Sequence, residues 1–246
     1  MVSSKSFWDK QSSSLGRDSS AEFYRRKAAE HSEIITKNDH SVGIVDLGCG
    51  AGELLQFLAE KLRIEKGIDY SASMIQSARV ALARFPDITF EQADIFQYLP
   101  LSAHAVWMST AAIDQYLNAS DTQKFLTIFA NNQSARSLYL FDCIDPVRYR
   151  LMSLGISYRP EDAVKFEPTN TRKRLSLLRR RSEFAAKLVT GGLAKEFVYL
   201  GTPEMGYGAL PRFWLKAAKS LGLSVEIVSS RYYEYRYHVT MRKSGR

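Results

Sequence analysis

Residues 42–62 read VGIVDLGCGAGELLQFLAEKL. A short apolar run ending in glycine has the pattern of a buried strand, and the spacing then switches to that of a helix. Gly48, Gly50 and Gly52 fall in the turn between them. Positions without a Cβ can take positive φ and let a ligand approach the backbone, while the helix that follows offers unpaired N–H groups to it. The same alternation runs outward from this unit. EKGIDY (65–70), ITFEQAD (88–94), AVWMST (105–110) and SLYLFDCI (137–144) read as strands, and ASMIQSARVALARF (72–85) and SDTQKFLTIFANN (120–132) as helices. Five strands with intervening helices predict a parallel sheet covered on both faces.

Upstream, AEFYRRKAAEHSEIIT (21–36) has helical spacing, so residues 1–40 are expected to form a cap helix after a polar start. Downstream the rhythm breaks. Residues 146–208 are too long for an ordinary connection and predict an inserted, partly helical lid. The pattern resumes with RFWLKAAKSLG (212–222) as a helix, LSVEIVSS (223–230) as a strand and YEYRYHVTMRK (233–243) as a half-exposed strand. The expected fold is α/β: a doubly wound, mostly parallel seven-stranded sheet with a C-terminal antiparallel hairpin. Its core is residues 41–145 and 209–246.

Composition sets the outer bounds. The chain has 246 residues, 45% of them hydrophobic and 24% charged, which excludes disorder, collagen and coiled coil as descriptions of the whole. Only Cys49 and Cys143 are present, the start is polar, and no apolar run approaches the roughly 18 residues needed to cross a bilayer. These features are those expected of a soluble cytoplasmic protein without a disulfide scaffold. The formal charge of +8 is concentrated between residues 146 and 187, where eleven Lys or Arg face four Asp or Glu. TRKRLSLLRRR (171–181) interleaves the basic residues with leucines. It fits a lid that recruits an anionic acceptor, a surface for nucleic-acid phosphates, or a solvated helix face.

Two acids sharpen the reading of the glycine loop. Asp69 ends the second strand, where a carboxylate can accept both hydroxyl protons of a ribose, and Asp94 ends the third. VDLGCGAG, GIDYSASMIQSAR and QADIFQYLP, in this order, resemble the class I methyltransferases that use S-adenosylmethionine, whose fold is Rossmann-like. The resemblance spans residues 43–145, and it implies the following roles. Asp46 sits under the loop near the methionine end, and the Gly48–Cys49–Gly50–Gly52 loop wraps the cofactor. Asp69, with Tyr70 beside it, holds the ribose. Asp94 receives the adenine amino group, and Ile95 and Met74 pack on the base. Ser109 lies near the reactive methyl, and Tyr24 of the cap helix closes over the methionine end. GYGALPRFW (206–214) resembles the loop that reaches the acceptor in small-molecule and sugar methyltransferases, which makes Tyr207 and Arg212 acceptor contacts.

Methyl transfer from a sulfonium needs alignment more than chemistry from the protein, but a hydroxyl acceptor needs a general base. Asp114, in STAAIDQYL, is placed for that role, with Tyr116 as an acceptor contact; Asp114 could equally cap the next helix. His31, His40, His104 and His238 are expected in surface or packing roles, and no metal site is expected. The sequence therefore predicts a transferase acting on an oxygen of a small-molecule or glycan acceptor, a surface polysaccharide among the options. The alternatives are an RNA methyltransferase using the basic segment and a non-catalytic cofactor-binding partner subunit.

Overall fold

Along the strands, consecutive side chains enter opposite cores. Trp107 points to one side and Val106 and Met108 to the other; Leu138 and Leu140 alternate in the same way with Tyr139 and Phe141. A strand buried on both faces shows this pattern when helices cover both sides of its sheet. A computed structural model describes residues 20–39, 42–110, 113–154, 175–176, 178–184, 195–201 and 205–243.

The sheet contains β1 (Ile44–Leu47), β2 (Ile64–Asp69), β3 (Thr89–Gln92), β4 (Val106–Ser109), β5 (Ser137–Ile144), β8 (Leu223–Ser229) and β9 (Arg236–Lys243). Their order is β3-β2-β1-β4-β5-β9-β8. All neighbours are parallel except those of β9, which runs antiparallel to both β5 and β8. The chain moves outward from β1 to β3 and then returns to β4, so the order reverses between β1 and β4. A crevice opens at such a reversal, beyond the carboxyl ends of the strands. The fold is the Rossmann-like one expected, hairpin included.

One core packs α5 (Ala119–Asn131) and α7 (Pro211–Ser220) on the sheet, through Phe125, Phe129 and Trp214. The other packs α1 (Ala21–Thr36), α2 (Leu55–Leu58) and α3 (Ala72–Ala81), through Ala28, Ile35, Leu55, Leu58 and Ile75. Side chains close the helix starts: Ser20 on α1, Ser71 on α3, Asn118 on α5 and Asp145 on α6 (Pro146–Ser153). The cap of α5 is thus Asn118, and Asp114 is left for another role.

Four features differ from the sequence reading. The helix after the glycine loop has only four residues in regular form. Bonds such as Gln56 N–H to Gly52 and Leu62 N–H to Leu58 carry it on through turns. A four-residue helix, α4 (Ile95–Tyr98), follows Asp94. The GYGALP stretch is not all loop: β6 (Phe197–Tyr199) pairs with β7 (Tyr207–Ala209) as a separate antiparallel hairpin. Finally, β9 is not half-exposed. Tyr237, Val239 and Met241 enter the first core, while His238 and Thr240 are also buried; α1 lies over that second face, with Glu30 and His31 against His238. The basic TRKRLSLLRRR stretch lies partly outside the described residues, within which residues 178–184 are helical. No helix among the described residues is long and apolar enough to cross a membrane.

The hairpin, α7 and β9 meet at a buried relay. The Trp214 indole N–H donates to the Tyr237 hydroxyl at 2.7 Å, and that hydroxyl donates to the Ala209 carbonyl at 2.5 Å. Replacing Tyr237 with Phe strands a buried donor and a buried acceptor, each worth about 1–3 kcal/mol. Urea unfolding of Tyr237→Phe is expected to show a loss in that range or somewhat above it; an unchanged midpoint would mean that the relay contributes nothing.

Candidate active site

The glycine loop leaves β1 at the point where the strand order reverses. Gly48, Gly50 and Gly52 have φ of 71°, 55° and 79°, in the left-handed region that strongly favours glycine. At Gly52 packing adds a second constraint: a Cβ there would lie 2.5 Å from Leu82 Cδ1 and 3.4 Å from Ala78 Cβ. The loop is therefore pressed against α3. Cys49 is buried, with its sulfur under Gly67 of β2, and burial pushes its thiol pKa up. It is a packing residue, not a nucleophile.

Asp69, at the end of β2, is buried. Its carboxylate accepts the Gly50 N–H at 3.0 Å through one oxygen and the Ser71 N–H at 2.9 Å through the other. Ser71 in turn accepts the Met74 N–H at 3.4 Å, and Met74 is itself buried. Tyr70 is half-buried, with its carbonyl held by Gln92. Asp46 is fully buried below the loop, where it accepts the Thr110 N–H at 3.0 Å and the Thr110 hydroxyl at 2.7 Å. Burial pushes its carboxyl up to about 7 in spite of those two bonds. Asp46 thus ties the end of β1 to the end of β4. Asp94 is exposed, and its carboxylate accepts the Phe96 N–H at 2.8 Å as the cap of α4; Ile95 packs on the first core.

On the far side of β4, Ser109 is buried and accepts the Ile113 N–H at 2.9 Å. That bond starts the turn Ile113–Tyr116, which carries Asp114. Asp114 is 4% exposed and its Oδ1 has no partner among the described residues. Burial pushes its carboxyl up to about 7, against the Cys143 thiol and the Arg236 charge, which pull it down. The turn is clamped from two sides. Gln115 donates to the Asp142 carbonyl at 3.2 Å, and Gly206 packs so closely that a Cβ there would lie 1.9 Å from the Gln115 carbonyl oxygen. Tyr116 is half-buried on the same turn. Neither clamp was legible in the sequence, where nothing marks Asp142 or Gly206 as neighbours of residue 115.

Tyr24, on α1, is half-buried and stacks on Phe57 just beyond the glycine loop, with ring centroids 6.3 Å apart. Tyr207 lies on β7 between the rings of Phe197 and Tyr199. Arg212 opens α7, where its guanidinium pairs with Glu196 at 3.2 Å.

The arrangement is a left-handed glycine loop at the point where the strand order reverses, a carboxylate bonded to that loop, and a second buried carboxylate on the turn after β4. Comparison with known proteins agrees. A family model described as a methyltransferase domain matches residues 38–153. Trans-aconitate 2-methyltransferase of Acidovorax sp. (strain JS42) is 35% identical over 98 residues, 37% of this chain and 37% of that protein. The Paracidovorax citrulli protein of the same name is 44% identical over 64 residues, 25% of this chain and 24% of its own. The matches thus span little more than a third of these relatives at most. Among solved structures, the methyltransferase domain of bacterial CtHen1-C superposes with a TM-score of 0.57 at 14% identity, covering 90% of this chain and 98% of that one. Magnesium protoporphyrin IX methyltransferase from Synechocystis PCC 6803, with bound SAH, gives 0.52 at 17% identity, covering 90% and 83%. At such identities the superpositions speak to the fold. Residues 38–153, just under half of the chain, are thus similar to a methyltransferase domain, and the fold is one that solved methyltransferases share.

Proposed function

We propose that the protein transfers a methyl group from S-adenosylmethionine to an oxygen of a small-molecule acceptor. The observation that carries this reading is the bond between Asp69 and the Gly50 amide, which holds a ribose-accepting carboxylate and an open glycine loop together at the mouth of the crevice. The residues suit the cofactor. Gly48–Gly52 are the stretch that would wrap it, Asp69 would take the ribose hydroxyls, Asp94 and Met74 the adenine, and Asp46 with Ser109 the methionine end. When bound, the cofactor supplies an electrophilic methyl on a sulfonium. The protein's own tasks are to align the acceptor and take its proton.

Asp114 is the group we assign to the proton. A base works best with a pKa near the working pH, and burial holds this carboxyl at about 7 with one oxygen unpartnered. That feature also favours a working transferase over a cofactor-binding subunit. The relatives named for trans-aconitate favour a small organic acid over a glycan or an RNA. We further propose residues 146–208 as an acceptor lid, with Tyr116 and Tyr207 as acceptor contacts. Because Arg212 is paired with Glu196, its role in this reading is to hold the β6–β7 hairpin on α7.

Two experiments test these assignments. Asp69→Ala removes a charged acceptor from the loop and from the ribose. Hydrogen bonds to charged groups contribute about 1.5–3 kcal/mol and a factor of ten in affinity is 1.4 kcal/mol, so calorimetry should show binding of S-adenosylmethionine weakened roughly 10–100-fold. Wild-type affinity in the variant would remove Asp69 from the site. For Asp114, transfer of labelled methyl into the hydroxyl groups of a panel of hydroxy acids should rise with pH through about 7 and level off above it, because only the ionised Asp114 carboxylate accepts the hydroxyl proton. Asp114→Asn should lower the rate by roughly 10²–10⁴ and flatten the profile. A variant as fast as wild type would show that the acceptor arrives already ionised and needs no base.

A further inference from the structure

One buried carboxylate takes no part in the transfer as proposed. Asp142, 1% exposed, lies where the β5–β9 pairing passes from Leu140 directly to Cys143, and its φ of 61° is the one positive value among the described non-glycine residues. A bulge re-aims the residue it contains. Left-handed backbone outside glycine costs about 1–3 kcal/mol and persists only where the surroundings fix it.

What fixes it comes from three other elements. The Asp142 N–H donates to His238 Nδ1 of β9 at 3.2 Å, and the carboxylate meets the Lys27 ammonium of α1 through Oδ2. The carbonyl, freed from the ladder, accepts a bond from Arg236 Nη1 of β9 at 3.0 Å and another from Gln115 Nε2 of the turn after β4 at 3.2 Å. Burial would push the Asp142 carboxyl up. The groups that face it, Lys27 and His31 on α1 and Arg236 and His238 on β9, outweigh burial and hold it below the usual carboxylate range. Gln115 is the residue next to Asp114, and Gly206 presses on its other side. One carbonyl thus joins β5 and β9 to the turn, and the charge on the same residue joins them to α1.

We propose that Asp142 is a positioning residue for the transfer: Lys27 and Arg236 fix its backbone, and its carbonyl sets the turn that aims Asp114 at the acceptor. This assignment rests on the reading of Asp114 as the base. Lys27 stands one turn of α1 beyond Tyr24, which stacks beside the glycine loop, so the seating of that helix and the aim of Asp114 are linked.

The test uses variants of the full chain. Asp142→Asn keeps the shape and tolerates the left-handed backbone but gives up the charge that Lys27 meets. Its plateau rate of methyl transfer into hydroxy acids should fall, by up to roughly 100-fold for a displacement of about 1 Å, while calorimetry shows S-adenosylmethionine bound as in the wild type. Burial and Asp142 raise the Asp114 carboxyl, whereas Cys143 and Arg236 lower it, so the midpoint of the pH profile should also move down. Lys27→Met should lower the plateau too. The double variant should be no slower than the slower single one, because residues that act as a unit are not additive. Amide hydrogen exchange at Ile113–Tyr116, which needs no turnover, should be faster in all three. Wild-type exchange at these amides, or a wild-type plateau in Asp142→Asn, would overturn the role. A slow Asp114→Asn with unchanged exchange in the Asp142 and Lys27 variants sinks the clamp and leaves the base; a fast Asp114→Asn with faster exchange in them sinks the base, and the positioning role with it, and leaves only the clamp. Should Asp142→Asn not fold, Gln115→Leu cuts the clamp from the side of the turn, and a wild-type plateau there overturns the role.

Discussion

A single carboxylate organises the glycine-loop side of this protein. Asp69 accepts amide protons from Gly50 and from Ser71, so the end of β2, the loop after β1 and the start of α3 become one rigid unit. A left-handed glycine loop has little to hold it in place, since it lacks side chains and forgoes regular backbone pairing. Here the loop is held from above by the acid and from the side by Leu82 and Ala78 of α3 against Gly52. The conformation that opens the backbone to a ligand is therefore held by the protein's own contacts.

The region beyond β4 is built by a different device. Asp46 joins β1 to β4 through Thr110, and the turn after β4 is then gripped by the Asp142 carbonyl and by Gly206. The bulge at Asp142 serves two faces of the sheet at once. Its carbonyl steadies the turn that carries Asp114, while its carboxylate reaches the other way to Lys27 on α1. α1 places Tyr24 on Phe57 beside the glycine loop, so the helix, the bulge and the turn form one connected frame around the crevice.

How much of this was legible in the sequence depends on whether the signal is local. The loop, the strand before it and the acid at position 69 stand within thirty residues and could be read from the residues themselves, whereas the place of Asp46 came from the family resemblance. The misses are long-range. YEYRYHVTMRK alternates like a half-exposed strand, but whether a helix covers the second face decides whether it sees water, and no pattern within β9 carries that information. His31 and His238 looked like unremarkable surface or core histidines because they stand two hundred residues apart, and only the pairing of β5 with β9 under α1 brings them together. Asp94 was read as an adenine contact; its carboxylate also caps α4, a helix too short to leave a periodic trace.

The glycine loop is the seat we propose for the cofactor. The most direct measurement is backbone amide NMR of the full chain titrated with S-adenosylhomocysteine, following Gly48, Gly50, Gly52 and Ser71. We predict saturable, one-to-one shifts centred on these four amides and on Asp69. Shifts that leave these amides unmoved while appearing elsewhere, or no saturable response, would contradict it.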